Sequence, residues 1–214
     1  MLRFSIFGIP VQIELWFWLS LGFIGVLSFD PTDGTQMTAL LLFVLAGFIS
    51  IMVHELGHAL TGRLFGAPTA ITLHAFGGFA TFPGNAFNRG QDFMVTAAGP
   101  TVQFVFGIGV WLFSLLLPDL PYNANFFFTF LIWISIVWAV INLIPVLPLD
   151  GGRLVNAMLG PARQELTLKV SIATAIIVGL GLFLLTGSII APIFLGFMAH
   201  QNWQQLKIFQ SRRF

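Results

Sequence analysis

Cysteine is absent from this 214-residue sequence, and charged residues are scarce. Without thiols the chain can form no disulfide and no thiolate metal site, which leaves His, Asp and Glu as candidate metal ligands. Charged residues make up 8% of the chain, whereas ordinary soluble domains carry about a quarter. The shortage of charge therefore excludes an ordinary soluble domain.

Basic residues are too few and too dispersed to form a surface for nucleic acid. Nine lysines and arginines stand against eight aspartates and glutamates, which gives a formal net charge of +1. No patch of the size that binds a phosphate backbone is present in the sequence. We therefore expect no nucleic acid among the partners of this protein.

Apolar residues occupy most of the remaining positions. They make up 57% of the chain, and the mean hydropathy is +0.93. A helix needs about 20 predominantly apolar residues to cross a bilayer. Six apolar runs predict helices at roughly 14–29, 37–64, 92–117, 124–146, 168–186 and 188–207. We expect an all-α polytopic membrane protein that forms a single membrane-embedded domain over residues 1–214.

One segment between the second and third predicted helices departs from the helical pattern. Residues 69–82 partly alternate between apolar and polar side chains and contain the pair Gly77-Gly78. Partial alternation interrupted by glycines is typical of short strands joined by a turn. We therefore predict a short membrane-associated β-hairpin in this segment.

The basic residues fall on alternate connections between the predicted helices. The opposite connections carry only Asp30, Asp33 and Asp119 among the charged residues. The basic residues are Arg3, Arg63, Arg89, Arg153, Arg163, Lys169, Lys207, Arg212 and Arg213. Because basic loops are retained on the inner side of a membrane, we expect a multi-pass cell-membrane protein with both termini in the cytoplasm.

Two histidines and a glutamate stand together in the motif His54-Glu55-Leu56-Gly57-His58, inside the second predicted helix. Residues four apart lie on one face of a helix, so His54 and His58 can share a metal ion. Glu55 lies on a neighbouring face, from which it can reach a water molecule at that metal. A carboxylate within a span usually faces the interior and marks a functional site. The motif therefore predicts a zinc site near the cytoplasmic end of a membrane helix.

A catalytic zinc site usually needs a third protein ligand. His74, His200 and a few carboxylates remain as candidates. Asp150 follows the fourth predicted helix and so lies at the depth of the two histidines, after prolines that end the helix and before glycines that permit a turn. The alternative is that Asp150 only caps a helix-ending turn.

With these residues the chain resembles the site-2 protease family of intramembrane zinc metalloproteases. The resemblance rests on HELGH at 54–58, on LDGG at 149–152 with Asn142 upstream, and on the order of the predicted helices. Ala98-Gly99-Pro100 also matches a family motif, although many members have Asn where this chain has Gln103. The chain is most similar to minimal members of the family, without a PDZ or a CBS domain.

The resemblance implies a zinc metalloendopeptidase. Its metal would be Zn²⁺, held by His54, His58 and Asp150, and Glu55 would be the general base. The substrate would be a membrane protein, cut in or near a transmembrane segment at the cytoplasmic side of the bilayer, as in regulated intramembrane proteolysis. A further membrane protein could supply the regulation that no appended domain provides.

Asn142 and His74 have two interpretations each. The Asn142 amide could stabilise the oxyanion of the reaction or form a hydrogen bond between packed helices. His74 could orient the substrate or lie at the membrane interface without a role in catalysis. We also expect that a substrate strand can add to the predicted hairpin, which would hold the substrate extended.

Two other classes of function compete with the protease. A metal transporter also places polar residues inside spans, but it needs ligands that continue across the bilayer. A scaffold that binds membrane helices without cutting them would not need a complete zinc motif with its glutamate. The sequence does not distinguish substrates, cleavage positions or oligomeric states.

Overall fold

A computed structural model describes residues 1–75, 77–117 and 119–211. These residues form seven α-helices and one small sheet, so the predicted class, mostly helical with a short strand region, is confirmed. The helices are α1 (Leu15–Val26), α2 (Gly34–Leu64), α3 (Arg89–Ser114), α4 (Tyr122–Asn142), α5 (Asp150–Leu159), α6 (Gln164–Thr186) and α7 (Ile190–Ser211). The strands are β1 (Leu2–Ile6), β2 (Ile9–Ile13), β3 (Ala70–His74) and β4 (Gly77–Thr81).

Four helical segments of the described chain are long and apolar enough to cross a membrane. They are Gly34–Leu64, Arg89–Ser114, Tyr122–Asn142 and Pro161–Thr186. The first of the six predicted spans corresponds to α1, whose 12 residues are fewer than the roughly 20 that a span needs. The last corresponds to α7, whose second half carries glutamines, Asn202 and Lys207. The prediction of six spans is therefore not confirmed as a count.

The described residues divide into two compact units. Unit 1 comprises residues 1–86 and 97–140, and unit 2 comprises residues 87–96 and 141–214. Unit 1 holds the sheet, α1, α2 and most of α3 and α4. Unit 2 holds α5, α6 and α7. The prediction of a single domain over residues 1–214 stays a prediction.

The sheet of unit 1 is larger than the sequence analysis predicts. Its strand order is β1-β2-β3-β4, with two antiparallel hairpins joined by a parallel pairing of β2 with β3. The hairpin β3–β4 confirms the strands predicted for residues 69–82. The hairpin β1–β2 was not predicted. Its turn residues Phe7 and Gly8 both have positive φ, as a type I′ hairpin turn requires.

Strand β2 has a clear period of two. Ile9, Val11 and Ile13 are buried, and they alternate with more exposed residues. Alternation places every second side chain on one face of a sheet. That face joins Ile71 and Leu73 of β3 in a core with residues of α1 and α2. Alternation over five residues is a weak signal beside the long apolar run of α1, which explains why the strand was missed.

Helix α2 carries the motif and is fixed at both ends. At its start the Asp33 carboxylate accepts hydrogen bonds from the backbone N–H groups of Thr35 and Gln36, which are among the donors that a helix start leaves unpaired. At its end Arg63 donates a hydrogen bond to the carbonyl oxygen of Phe7, at the tip of hairpin β1–β2. The helix is therefore joined to the sheet beyond the motif.

Unit 2 contains a short helix that the sequence analysis does not predict. Helix α5 begins at Asp150 and ends at Leu159, in a stretch expected only to connect two spans. It is amphipathic and too short to cross a bilayer. Helices α6 and α7 follow as an antiparallel pair, and Gly187 between them has a φ of 68°, which glycine adopts without steric cost.

Candidate metal centre

The two histidines of the motif face each other in the interior of unit 1. His54 and His58 are 5% and 7% exposed, and their Nε2 atoms lie 3.1 Å apart. Zinc binds imidazole nitrogen at about 2.0–2.1 Å, so two nitrogens in a tetrahedral site lie about 3.3 Å apart. The observed separation fits one ion bound by both rings. The predicted helical pairing of His54 and His58 is therefore present in unit 1.

Glycines allow the backbones of α2 and α3 to approach at the motif. A Cβ atom on Gly57 would lie 2.7 Å from the carbonyl oxygen of Ala98. A Cβ atom on Gly99 would overlap the imidazole of His58. Any larger residue at either position would force the helices apart or displace the ring. The small residues 97–99 thus act as close-packing positions that make room for His58.

The glutamate of the motif lies against the sheet. Glu55 is buried, and a Cβ atom on Gly78 of β4 would lie 2.6 Å from its Cγ and 2.7 Å from Leu73 Cδ2. Only a glycine lets the β4 backbone pass this closely. The pair Gly77-Gly78, read from the sequence as a turn, therefore begins a strand that runs beside Glu55.

The Nδ1 atom of His54 is also engaged. It lies 2.9 Å from Oε1 of Gln103 on α3. From the sequence, Gln103 is only a departure from the family pattern, with no predicted contact. Ser50 and Ser135, which continue this contact into α2 and α4, were missed. Their only signal is a hydroxyl inside an apolar helix, one helical turn before His54 in the case of Ser50.

Asp150 lies in unit 2, where it is 4% exposed and begins α5. The N-cap position of α5 is Leu149, and Asp150 lies in the first turn of the helix. Cβ atoms on Gly151 and Gly152 would overlap backbone atoms of residues 143–147. The two glycines therefore let the first turn of α5 pack on the loop that precedes it.

Two buried polar side chains hold this loop within unit 2. The Leu147 N–H donates to Ser171 Oγ of α6 at 3.2 Å, and Asn202 Nδ2 of α7 donates to the Leu147 carbonyl at 2.7 Å. Buried backbone groups need such partners. Helices α6 and α7 thus fix the chain three residues before Asp150. Neither Ser171 nor Asn202 was predicted, because nothing local links them to the LDGG element.

The other predicted residues lie apart from the motif in sequence and element. Asn142 is the last residue of α4 and belongs to unit 2. His74 ends β3, with its ring centroid 5.3 Å from that of Phe79. His200 on α7 lies 2.8 Å from Gln204 Nε2 and is exposed. The catalytic role of Asn142 stays a prediction.

Comparison with known proteins finds similarity to zinc metalloproteases. Residues 120–186 match the model of peptidase family M50. A Synechocystis protein named as a candidate zinc metalloprotease is 32% identical over 186 residues, which cover 83% of this chain and 48% of that protein. A zinc metalloprotease of Methanocaldococcus jannaschii is 29% identical over 157 residues, 73% of this chain and 44% of that protein. The chain therefore spans about half the length of these curated relatives.

A solved structure extends the match to nearly the whole chain. The structure of a site-2 protease from Methanocaldococcus jannaschii covers 95% of this chain and 94% of its own, with a TM-score of 0.65 and 27% sequence identity. The resemblance drawn from HELGH and LDGG is thereby confirmed. The chain is thus similar over nearly its whole length to a site-2 protease, and over residues 120–186 to peptidase family M50.

We predict that Gly99→Ala destabilises the protein by about 1–3 kcal/mol, the usual cost of overpacking an interior, and weakens the binding of added zinc. The new methyl group would occupy the space of the His58 imidazole. Thermal unfolding in detergent and zinc retained after dialysis would measure both effects.

The matched control is Gly109→Ala on the same helix, where a Cβ atom meets nothing within 4 Å. Because alanine favours helix over glycine by about 1 kcal/mol, this variant should match or exceed the wild type in stability and bind zinc normally. Equal zinc binding by the two variants would contradict the packing role assigned to Gly99.

Proposed function

We propose that this chain is an intramembrane zinc metalloendopeptidase. The observation that carries the proposal is the buried pair His54 and His58, with Glu55 between them, on a 31-residue helix apolar enough to span a membrane. The names of the relatives support zinc as the metal. Zinc, when bound, polarises a carbonyl group and lowers the pKa of a water ligand towards about 7.

We assign the ligand set to His54, His58 and Asp150. Two imidazoles and a carboxylate are a donor set that zinc accepts in catalytic sites. The family resemblance supports Asp150 as the third ligand. Its burial at the start of α5 supports it too, because a buried carboxylate is costly unless it is paired or bound to a metal.

Glu55 is the proposed general base. Its carboxylate would take a proton from the attacking water and give it to the leaving amine of the cleaved peptide. Burial beside β4 keeps the carboxylate away from bulk solvent. The Asn142 amide is a candidate donor to the oxygen that becomes negative in the transition state.

The proposed substrate is a membrane-spanning protein, cut in or near its transmembrane segment at the cytoplasmic side. The distribution of basic residues supports cytoplasmic termini, and with them a motif on the cytoplasmic half of α2. A membrane-protein partner would regulate the cleavage. In this orientation the reaction would release a substrate fragment to the cytoplasm, as regulated intramembrane proteolysis requires.

A helical substrate must unwind before its peptide bonds become accessible. Strand β4 offers a place for the unwound segment, because it is an edge of the sheet and runs beside Glu55 through Gly78. Edge strands have backbone groups that can pair with an added strand. We propose that the substrate binds as an additional strand along β4.

Substitution Glu55→Gln should lower cleavage by about 100-fold or more, the usual contribution of a general base, with zinc retained. Membrane proteomes of cells that produce the wild type or the variant would show this as substrate fragments that are lost and intact substrates that accumulate. The zinc content of the purified proteins shows whether the variant retains the metal.

Glu165→Gln is the control, since it makes the same chemical change at a partly exposed ion pair with Lys169, which contributes little to stability. It should leave the fragments unchanged. Identical fragments in Glu55→Gln cells would contradict the protease. Zinc transport into proteoliposomes that survives Glu55→Gln would favour a transporter instead.

Replacement of Asp150 tests the third ligand. We expect Asp150→Ala to weaken zinc binding by more than the roughly 10–100-fold that loss of an outer-shell partner costs. Asp119→Ala, at an exposed position of the α3–α4 connection, is the control and should bind zinc as the wild type does. Wild-type zinc affinity in Asp150→Ala would assign the third ligand to another residue.

Proline substitutions test β4 as a docking strand. Neighbouring residues in a strand direct their N–H groups to opposite sides, so of Phe79→Pro and Ala80→Pro one breaks pairing with β3 and the other removes a donor at the open edge. Thermal unfolding identifies the edge variant, because edge prolines are tolerated. We expect that variant to keep its stability and zinc but to lose most cleavage; unchanged cleavage would overturn substrate docking along β4.

A further inference from the structure

Three buried polar side chains from three helices of unit 1 meet behind His54. Ser50 of α2, Gln103 of α3 and Ser135 of α4 are each 0% exposed. Ser135 Oγ donates to Ser50 Oγ at 3.1 Å, and Gln103 Nε2 donates to the same hydroxyl at 2.8 Å. The Gln103 amide then reaches Nδ1 of His54 through its oxygen.

The hydrogen bonds fix which way the Gln103 amide points. Its Nε2 atom also donates to the Ser50 backbone carbonyl at 3.3 Å. A carbonyl oxygen can only accept, so the amide nitrogen must face Ser50 and the amide oxygen must face His54. This assignment follows from the partners and does not depend on telling nitrogen from oxygen in the side chain.

The direction of the amide then fixes the tautomer of His54. An amide oxygen can only accept, so Nδ1 of His54 must carry the proton. In a neutral imidazole the other nitrogen, Nε2, then has the free electron pair. Nε2 is the atom that lies 3.1 Å from Nε2 of His58. The atom that would bind a metal is therefore the one that this chain of hydrogen bonds leaves unprotonated.

We propose that Gln103 is a positioning residue, which holds His54 in the Nε2-ligating tautomer and ring orientation, and that Ser50 and Ser135 orient Gln103 in turn. The inference rests on the proposed zinc site. Outer-shell partners of metal-binding histidines commonly contribute 10–100-fold to metal affinity. Since no charge is involved, the amide can do this inside an apolar bundle without the cost of burying an ion.

The spacing of residues along α2 and α3 explains how the Gln103 side chain reaches His54. Gln103 follows Gly99 by four residues and so lies on the same face of α3. Ser50 precedes His54 by four residues on α2. Gly99 faces His58, and one helical turn further along, Gln103 faces Ser50 and His54. The close packing that admits His58 therefore also brings Gln103 within reach of His54.

Zinc affinity of the full chain in detergent micelles, measured by competition with a chelator, tests the proposal. Gln103→Leu, which keeps the side-chain size but has no acceptor, should bind zinc about 10–100-fold more weakly. Gln103→Asn keeps an uncharged amide that can accept the Nδ1 proton and should bind zinc more tightly than Gln103→Leu does. Residues that only join three helices would give no such difference between the two variants.

The chain contains its own matched control. Gln204 on α7 makes an amide–imidazole contact of 2.8 Å with His200 at the surface, so Gln204→Leu makes the same chemical change away from the motif. It should not alter zinc affinity. In addition, ¹⁵N-histidine spectra of the zinc-loaded protein should show a protonated Nδ1 for His54, and the chain has only four histidines to assign.

The outcomes separate this inference from the function on which it rests. If the wild type binds zinc, His54→Ala abolishes binding and Gln103→Leu retains full affinity, the positioning role is overturned while the zinc site stands. Equal losses in Gln103→Leu and Gln103→Asn would also overturn it. If the wild type binds no zinc, the proposed function fails and the inference fails with it.

Discussion

The close approach of α2 and α3 is the constraint on which the motif depends. Where Gly57 of α2 meets the Ala98 carbonyl of α3, there is no room for a Cβ atom on Gly57. The two backbones hold the His58 ring against Gly99, and the antiparallel run of the helices brings Gln103 to His54. Further along, Gly107 of α3 lies against Ser135 and Ile136 of α4. Gly99 and Gly107, about two turns apart on α3, thus let this helix pack closely against α2 and α4.

Polar groups in this apolar chain come in connected sets. The set in unit 1 links Ser135, Ser50, Gln103 and His54, and the set in unit 2 links Ser171, Leu147 and Asn202. The core of a bilayer offers no water to satisfy a buried donor or acceptor, so polar side chains there need hydrogen-bond partners within the protein. The set in unit 1 contacts His54, and the set in unit 2 holds the loop that precedes Asp150.

The features that the sequence could predict depend on residues that are close together in the chain. The spacing of His54 and His58 is a property of one helix, and so is the length of α2, and both were found. The parallel pairing of β2 with β3 joins Val11 to Ile71 and has no local signal, so half of the sheet was missed. Helix α5 was missed for another reason, since ten amphipathic residues between apolar spans read as a connection.

The candidate site shows the same division. Glu55 and the histidines follow from one pentapeptide, and Asp150 is predicted from its depth after the fourth predicted helix and from the prolines and glycines around it. The role of Gln103 depends on which residue of α2 faces which residue of α3. That register is set by Gly57 and Gly99, whose contacts exist only in the folded helix pair. The family motifs contain Gly57 and Gly99, but they do not show which groups these glycines make room for.

The parallel pairing of β2 and β3 has a consequence for how the chain is threaded. An open sheet cannot extend across the hydrocarbon core of a bilayer, because its edge strands would face lipid without hydrogen-bond partners. Both strands must therefore stay on one side, and the residues between them must traverse the bilayer an even number of times. If α2 makes one passage, the 12-residue α1 and the loop after it must make the return. An even number of crossings between β2 and β3 would therefore pair the long helix α2 with a segment whose helix is shorter than the membrane is thick.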